Sequence, residues 1–248
     1  MKVILNADDL GISDRVNDAI FDLLDRGRLT SATLMANGPA LVQAASQVPR
    51  FKNCSFGVHL NLTSFESLTK DPGFSKYLDD DGCFSGNVRQ YRMNAPFRNA
   101  VLREWRTQVQ RVLNHGVPVS HFDSHHHVHT IPRLFGALKQ LQREFGIRRV
   151  RATRNLYASN NVKLRARLCA KAAWNWALRT FWTTRTTEGF TDLTTFVILL
   201  DRKPPQYRTV ELMLHPGHPD CTNETALLDQ LWWDHAPYPI EFISYHDL

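Results

Sequence analysis

No stretch of the 248 residues approaches the length of a membrane-spanning helix, and the apolar run at the N-terminus is too short for a signal peptide. A soluble cytoplasmic protein is the expectation. Cysteine is scarce: Cys54, Cys83, Cys169 and Cys221 lie far apart with no Cys-x-x-Cys pair, which argues against a zinc ribbon and a disulfide scaffold. These thiols are expected to be reduced and mostly structural. Internal repeats, low-complexity segments and breaks in composition are also lacking, so residues 1–248 are expected to form one domain with a full core. Acidic residues are missing from Phe145 to Thr187, a window rich in arginine, lysine and tryptophan within a chain of net charge +6. Such a field suits an anionic partner or a solvated basic helix face. It says nothing about fold.

What the chain does have is histidine, concentrated in His121-Phe122-Asp123-Ser124-His125-His126-His127-Val128-His129, which holds five of the eleven histidines. In an extended chain the alternation places His121, Asp123, His125, His127 and His129 on one face. In a helix His125 and His129 share one. Either geometry offers imidazole nitrogen and carboxylate oxygen to a divalent ion. Unlike a tag, the run follows an apolar stretch and carries Asp123 at strand spacing.

Apolar runs of strand length alternate with amphipathic stretches, the pattern of βα units around a parallel sheet. Strands are predicted at Val3–Ala7, Leu29–Met35, Phe56–Leu62, Val117–Asp123, Arg149–Ala152, Thr195–Leu200, Val210–Leu214 and Ile240–Ser244. Ser13 resembles the cap of a helix that carries Val16, Ile20, Leu23 and Leu24 and ends at Gly27. Further helices are predicted from near Pro39, over Phe97–Leu113 and Pro132–Phe145, through the basic window, and over Thr225–Trp232. Residues 63–95 lack strong periodicity and read as a long functional loop or lid. Seven or so strands over this length suggest an α/β fold of the irregular (β/α) barrel type, TIM-barrel-like, rather than an open doubly wound sheet.

Four polar motifs fall where strands should run out: Asn6-Ala7-Asp8-Asp9-Leu10-Gly11, Gly57-Val58-His59-Leu60, Asp123-Ser124-His125, and Leu214-His215-Pro216-Gly217-His218-Pro219-Asp220. Each alone is weak, since paired Asp often caps a helix and a lone strand His is often a satisfied core residue. Together they describe one rim of a barrel. On the first three motifs the chain resembles the YdjC-like carbohydrate deacetylases, which include chitooligosaccharide deacetylases, over nearly its whole length. The resemblance implies an irregular (β/α) barrel that uses a divalent metal to remove N-acetyl groups from amino sugars, with Asp9, His59 and His125 as metal ligands.

Amide hydrolysis asks for such groups independently. A bound divalent ion lowers the pKa of its water, a second carboxylate takes the proton, and an imidazole protonates the departing amine. Asp8, beside Asp9, is the expected base. His215 is the expected acid, as a His after a late strand serves in the wider family of metal-dependent polysaccharide deacetylases. Asp123, His127 and His129 are candidates to orient the ligating imidazoles. Arg151 is a candidate to tune Asp8 or hold a sugar oxygen, and Asn61 is a substrate-side candidate or only a strand-end cap.

One divalent metal ion is expected, Mg or Zn: the imidazoles lean toward zinc by softness, while family members have also been associated with magnesium. The expected partner is an N-acetylated carbohydrate, with a phosphate-linked or lipid-linked glycan suggested by the acid-free window. Nucleic acid is not expected. Peripheral membrane association through the basic segment and a homodimer are further expectations. The competing readings are a metal-dependent phosphoesterase and a non-catalytic sugar- or nucleic-acid-binding barrel.

Overall fold

In the computed structural model, which describes residues 1–85, 88–158 and 162–248, the chain alternates strand and helix as the patterning predicts. The strands are β1 (Lys2–Leu10), β2 (Ser31–Leu34), β3 (Ser55–Leu60), β4 (Val119–Ser124), β5 (Gly189–Asp192), β6 (Thr209–Leu214) and β7 (Glu241–Phe242). All pairings are parallel, in the order β4-β3-β2-β1-β6-β5, with β7 on the first residues of β1. Eight of the nine residues of β1 are buried. This is the signature of a parallel strand covered on both faces.

The covering helices are α1 (Asp14–Asp25), α2 (Leu41–Gln47), α3 (Ala95–Asn114), α4 (Phe135–Phe145), α5 (Val162–Thr180), α6 (Leu193–Arg202) and α7 (Thr222–Asp229). Ser13 caps α1 by accepting from the Val16 N–H at 3.3 Å, and Gly27 follows the helix at φ +66°. No helix among the described residues is long and apolar enough to cross a membrane.

The sheet curls like a barrel but does not close. Between its outer strands β4 and β5 lies a segment, not a strand: Val150 bridges Phe122, Arg149 bridges Arg185, and the Asn155 N–H donates to the Phe190 carbonyl at 3.2 Å. The strand predicted at Arg149–Ala152 is therefore reduced to single bridges.

The strand predicted at Thr195–Leu200 is a helix instead. Asp192 accepts from the Thr195 N–H at 2.7 Å and ends β5, so the β-branched run starts α6, burying Leu193, Phe196 and Leu200 at helical spacing. The cap overrides the β propensity of the run.

Residues 63–85 and 88–94 carry their own packing. Phe74, Tyr77, Phe84, Tyr91 and Phe97 form a cluster of ring contacts. Beneath it the buried Glu104 of α3 accepts from Ser67 Oγ, Leu68 N, Thr69 N and Thr69 Oγ1 at 2.8–3.1 Å.

Candidate functional site

The site lies at the carboxyl ends of β1, β3, β4 and β6, where a parallel α/β sheet places its chemistry. In a regular strand Asp8 and Asp9 would point to opposite faces. The β1–β2 register shifts between Ala7 and Leu10, and Asp9 adopts φ +68°. This bulge re-aims one side chain, as bulges beside active sites do. Both carboxylates now face His59: Asp9 Oδ1 lies 3.3 Å and Asp8 Oδ2 4.0 Å from its Nε2.

Three imidazoles surround Asp9. His125 Nδ1 is 2.9 Å from Oδ1, His59 Nε2 3.3 Å from the same oxygen, and His218 Nε2 3.2 Å from Oδ2. Burial opposes charge on Asp9, but these imidazoles hold its carboxyl far below the usual range. Burial likewise opposes charge on His59, yet Asp123, Asp8 and Asp9 push its pKa up to about 10.

His59 is oriented from behind by Asp123, which accepts from Nδ1 at 2.8 Å, and by Thr33 Oγ1 at 3.2 Å. Nε2 is left to face the carboxylates. A carboxylate fixing the far nitrogen is the usual support of a metal-ligating histidine. The donor atoms of Asp9, His59 and His125 all lie within 4.8 Å of one another. One carboxylate and two imidazoles whose donor atoms converge in this way fit a divalent ion.

Asp8 has a different environment. The guanidinium of Arg151, fully buried, donates to both Asp8 oxygens at 2.6 and 2.7 Å and to Glu211 Oε1 at 2.7 Å, and its Nη1 forms an ion pair with Asp123 Oδ2 at 2.8 Å. Burial alone would raise the Asp8 pKa, but Arg151 lowers it well below the carboxylate range. Asp8 is thus an ionised acceptor at neutral pH. His215 follows β6, its ring 5.8 Å from that of His218. Burial lowers its pKa, with Asp8 and Asp9 opposing.

The histidine run is neither extended nor helical throughout. β4 ends at Ser124, and His126 and His127 take left-handed backbone angles, so alternation stops at His125. His121 is buried and stacks on Tyr245 with ring centroids 3.6 Å apart. His129 is buried between Ser124 Oγ at 2.5 Å and the Arg151 carbonyl at 3.2 Å, and so supports the Arg151 backbone. His127 packs edge-on against Phe190. Asn61 lies outside the cluster: it bonds Asn37 at 2.9 Å and the 61–64 turn, holding the loop after β3.

Sequence reasoning missed two residues. His218 was visible in the His215-Pro216-Gly217-His218 motif, and Gly217 at φ +81° turns it back toward Asp9. Glu211 sits in an apolar strand and gave no signal beyond being a charge there.

The basic window is largely engaged within the chain. Besides Arg151, Arg154 pairs with Asp192 at 2.5 Å, Arg149 donates to the His246 carbonyl, Arg179 to Thr187 and Lys171 to Arg154. The side chains of Lys163 and Arg165 lie outside the described residues.

The YdjC-like protein family model matches residues 2–236. A carbohydrate deacetylase of Oceanobacillus iheyensis is 30% identical over 220 residues, 89% of this chain and 87% of that protein. One from Halalkalibacterium halodurans is 29% identical over 222 residues, covering 89% and 86%. Among solved structures, a protein of Enterococcus faecalis V583 assigned to cellobiose-phosphate cleavage matches with a TM-score of 0.76 at 22% identity, over 99% of this chain and 98% of that one. A family 4 acetyl xylan esterase of Clostridium thermocellum, in complex with a cobalt ion, shares the fold with a TM-score of 0.51 at 13% identity, over 100% of this chain and 89% of that one. With the family model spanning nearly all of it and relatives aligned along most of its length, the chain belongs to the YdjC-like family of carbohydrate deacetylases, hydrolases of amide bonds.

Proposed function

We propose that the protein is a metal-dependent hydrolase that removes the N-acetyl group from an amino sugar. The observation that carries this reading is the pairing of two unlike carboxylates: Asp9 among three imidazoles, and Asp8 gripped by Arg151 one residue away. Asp9, His59 and His125 would hold the ion. When bound, a divalent ion supplies a water of pKa lowered to about 7 in favourable sites and a Lewis acid for the acyl oxygen.

Asp8 accepts the proton of the attacking water, and Arg151 and Asn6 keep its oxygens in place, the latter through Nδ2 at 2.9 Å. His215 delivers a proton to the amine nitrogen as the C–N bond breaks. Asp123 keeps the His59 ring from turning. The products are acetate and a free amino sugar. The set of Asp9, His59 and His125 brings one carboxylate, fewer than the metal centre of a two-metal phosphoesterase usually brings.

A phosphate-linked glycan is the second substrate reading, favoured by the acid-free composition from Phe145 to Thr187. The test is acetate release from neutral and phosphate-linked N-acetylated sugars by metal-free and metal-restored protein, with Asp8→Asn and His125→Ala beside it. Metal-dependent acetate that both substitutions abolish is expected. No acetate from any substrate, with stoichiometric metal bound through His125, overturns the reading.

A further inference from the structure

Beside the Asp9 cluster stands a second group of donors. One ligand atom each from His215, Cys221 and Glu224 lies within 4.8 Å of the others. His215 follows β6, Cys221 closes the turn Pro219–Cys221, and Glu224 sits in the first turn of α7. The arrangement is held by backbone bonds: the His215 N–H donates to Glu224 Oε2 at 2.6 Å, and the Cys221 N–H to the His218 carbonyl at 3.1 Å.

Glu224 is only 7% exposed, and no Lys or Arg ion pair reaches it among the described residues. A buried carboxylate without a cation is costly. Cys221 is half-buried and carries a free thiol. Thiolate, imidazole and carboxylate together are a zinc-type donor set, and three protein ligands leave a fourth position for water. Sulfur sets this group apart from the nitrogen and oxygen donors of Asp9, His59 and His125.

We propose that His215, Cys221 and Glu224 form a second, inhibitory binding site for a zinc-like divalent cation. The cation displaces the thiol proton of Cys221 to solvent and takes a ring nitrogen of His215. His215 then has no proton to give to a leaving amine, so the enzyme is active with one ion and silenced by a second. The inhibitory consequence rests on His215 being the acid of the proposed reaction. The binding site itself does not.

Titration of metal-stripped protein with Co²⁺ tests the site without reference to activity. Beyond the first equivalent, a thiolate-to-cobalt charge-transfer absorption is expected in the near ultraviolet, and it should vanish in Cys221→Ser. In acetate release, zinc beyond one equivalent should inhibit the wild type, and Cys221→Ser should need at least about tenfold more zinc for the same inhibition. Absence of a second equivalent, or a sulfur band that survives in Cys221→Ser, overturns the site. A Cys221-dependent band in a protein that releases no acetate supports the site while removing the deacetylase reading. Acetate release with no such band does the reverse.

Discussion

Arg151 grips both oxygens of Asp8, Nη2 to Oδ1 at 2.6 Å and Nη1 to Oδ2 at 2.7 Å, and with its remaining donors reaches Asp123 and Glu211. One buried guanidinium therefore organises three carboxylates from β1, β4 and β6. Only arginine presents the planar fork that such geometry requires. It joins Asp8, the proposed base, to Asp123, which orients His59, so the two halves of the site cannot shift independently.

Arg151→Lys keeps the charge but replaces the fork by a compact ammonium. Several charge-assisted bonds to buried carboxylates are then lost. Stability should fall by on the order of 3 kcal/mol, and acetate release by about a hundredfold through misplacement of Asp8. Urea unfolding and steady-state rates measure both. Unchanged rates in a folded Arg151→Lys protein would show that Asp8 needs no positioning.

Three carboxylates around one guanidinium do not balance in charge. Burial pushes the Glu211 carboxyl up to about 7, against the pull of Arg151 and of the Tyr245 hydroxyl, which donates to Oε2 at 2.5 Å. The folded chain therefore binds this proton more tightly than the unfolded chain, whose Glu titrates near its ordinary value of 4.5. A carboxyl raised in this way contributes stability below the unfolded pKa that is lost as pH rises through the folded one. Between pH 4.5 and 7 the wild type should lose stability relative to Glu211→Gln, on the order of 3 kcal/mol across the window. Denaturant midpoints across that range decide it. Parallel pH dependence in the two proteins would place the proton elsewhere.

Much of this site was legible before the structure because its residues are polar groups at the ends of apolar runs. Asp8, Asp9, His59 and His125 all satisfy that description. What patterning cannot show is backbone handedness. The left-handed angle at Asp9 brings adjacent carboxylates to one site, and those at His126 and His127 end the alternation of the histidine run. Nor can it separate a β-branched strand from a capped helix, which is why 195–200 reads wrongly until the Asp192 cap is seen. Residues that act through partners distant in sequence, such as Glu211 through Arg151 and Glu104 through Ser67 and Thr69, carry no local signal at all.

The segment 63–95 reads as a candidate lid, and Glu104 decides how firmly its start at Ser67–Thr69 is held. Its carboxylate collects four donors from Ser67, Leu68 and Thr69, and a fifth from Gln108 Nε2 at 2.9 Å. Glu104→Ala leaves these donors without an acceptor in a buried setting, at a cost of about 3 kcal/mol or more. The loss should be local before it is global: limited proteolysis should cut between residues 63 and 94 at urea concentrations that leave the sheet folded. Cleavage at wild-type rates in Glu104→Ala would assign the anchoring to the aromatic cluster instead.

Asp123 offers the most direct probe of the proposed ion site without touching a ligand. Its Oδ1 accepts from His59 Nδ1 at 2.8 Å, while Oδ2 faces Arg151 at 2.8 Å and accepts from Thr33 Oγ1 at 3.0 Å. Asp123→Asn preserves the shape but removes the charge that makes the imidazole a better donor and fixes Nε2 toward Asp9. Loss of such a partner typically weakens metal affinity by about 10- to 100-fold. Competition against a chromophoric chelator should show a fall of that size for Asp123→Asn, with the fold retained by circular dichroism. A similar substitution at Asn61, which lies outside the cluster, should leave affinity unchanged. Equal affinity in wild type and Asp123→Asn would count against His59 as a ligand and shift the ion toward Asp9, His125 and His218.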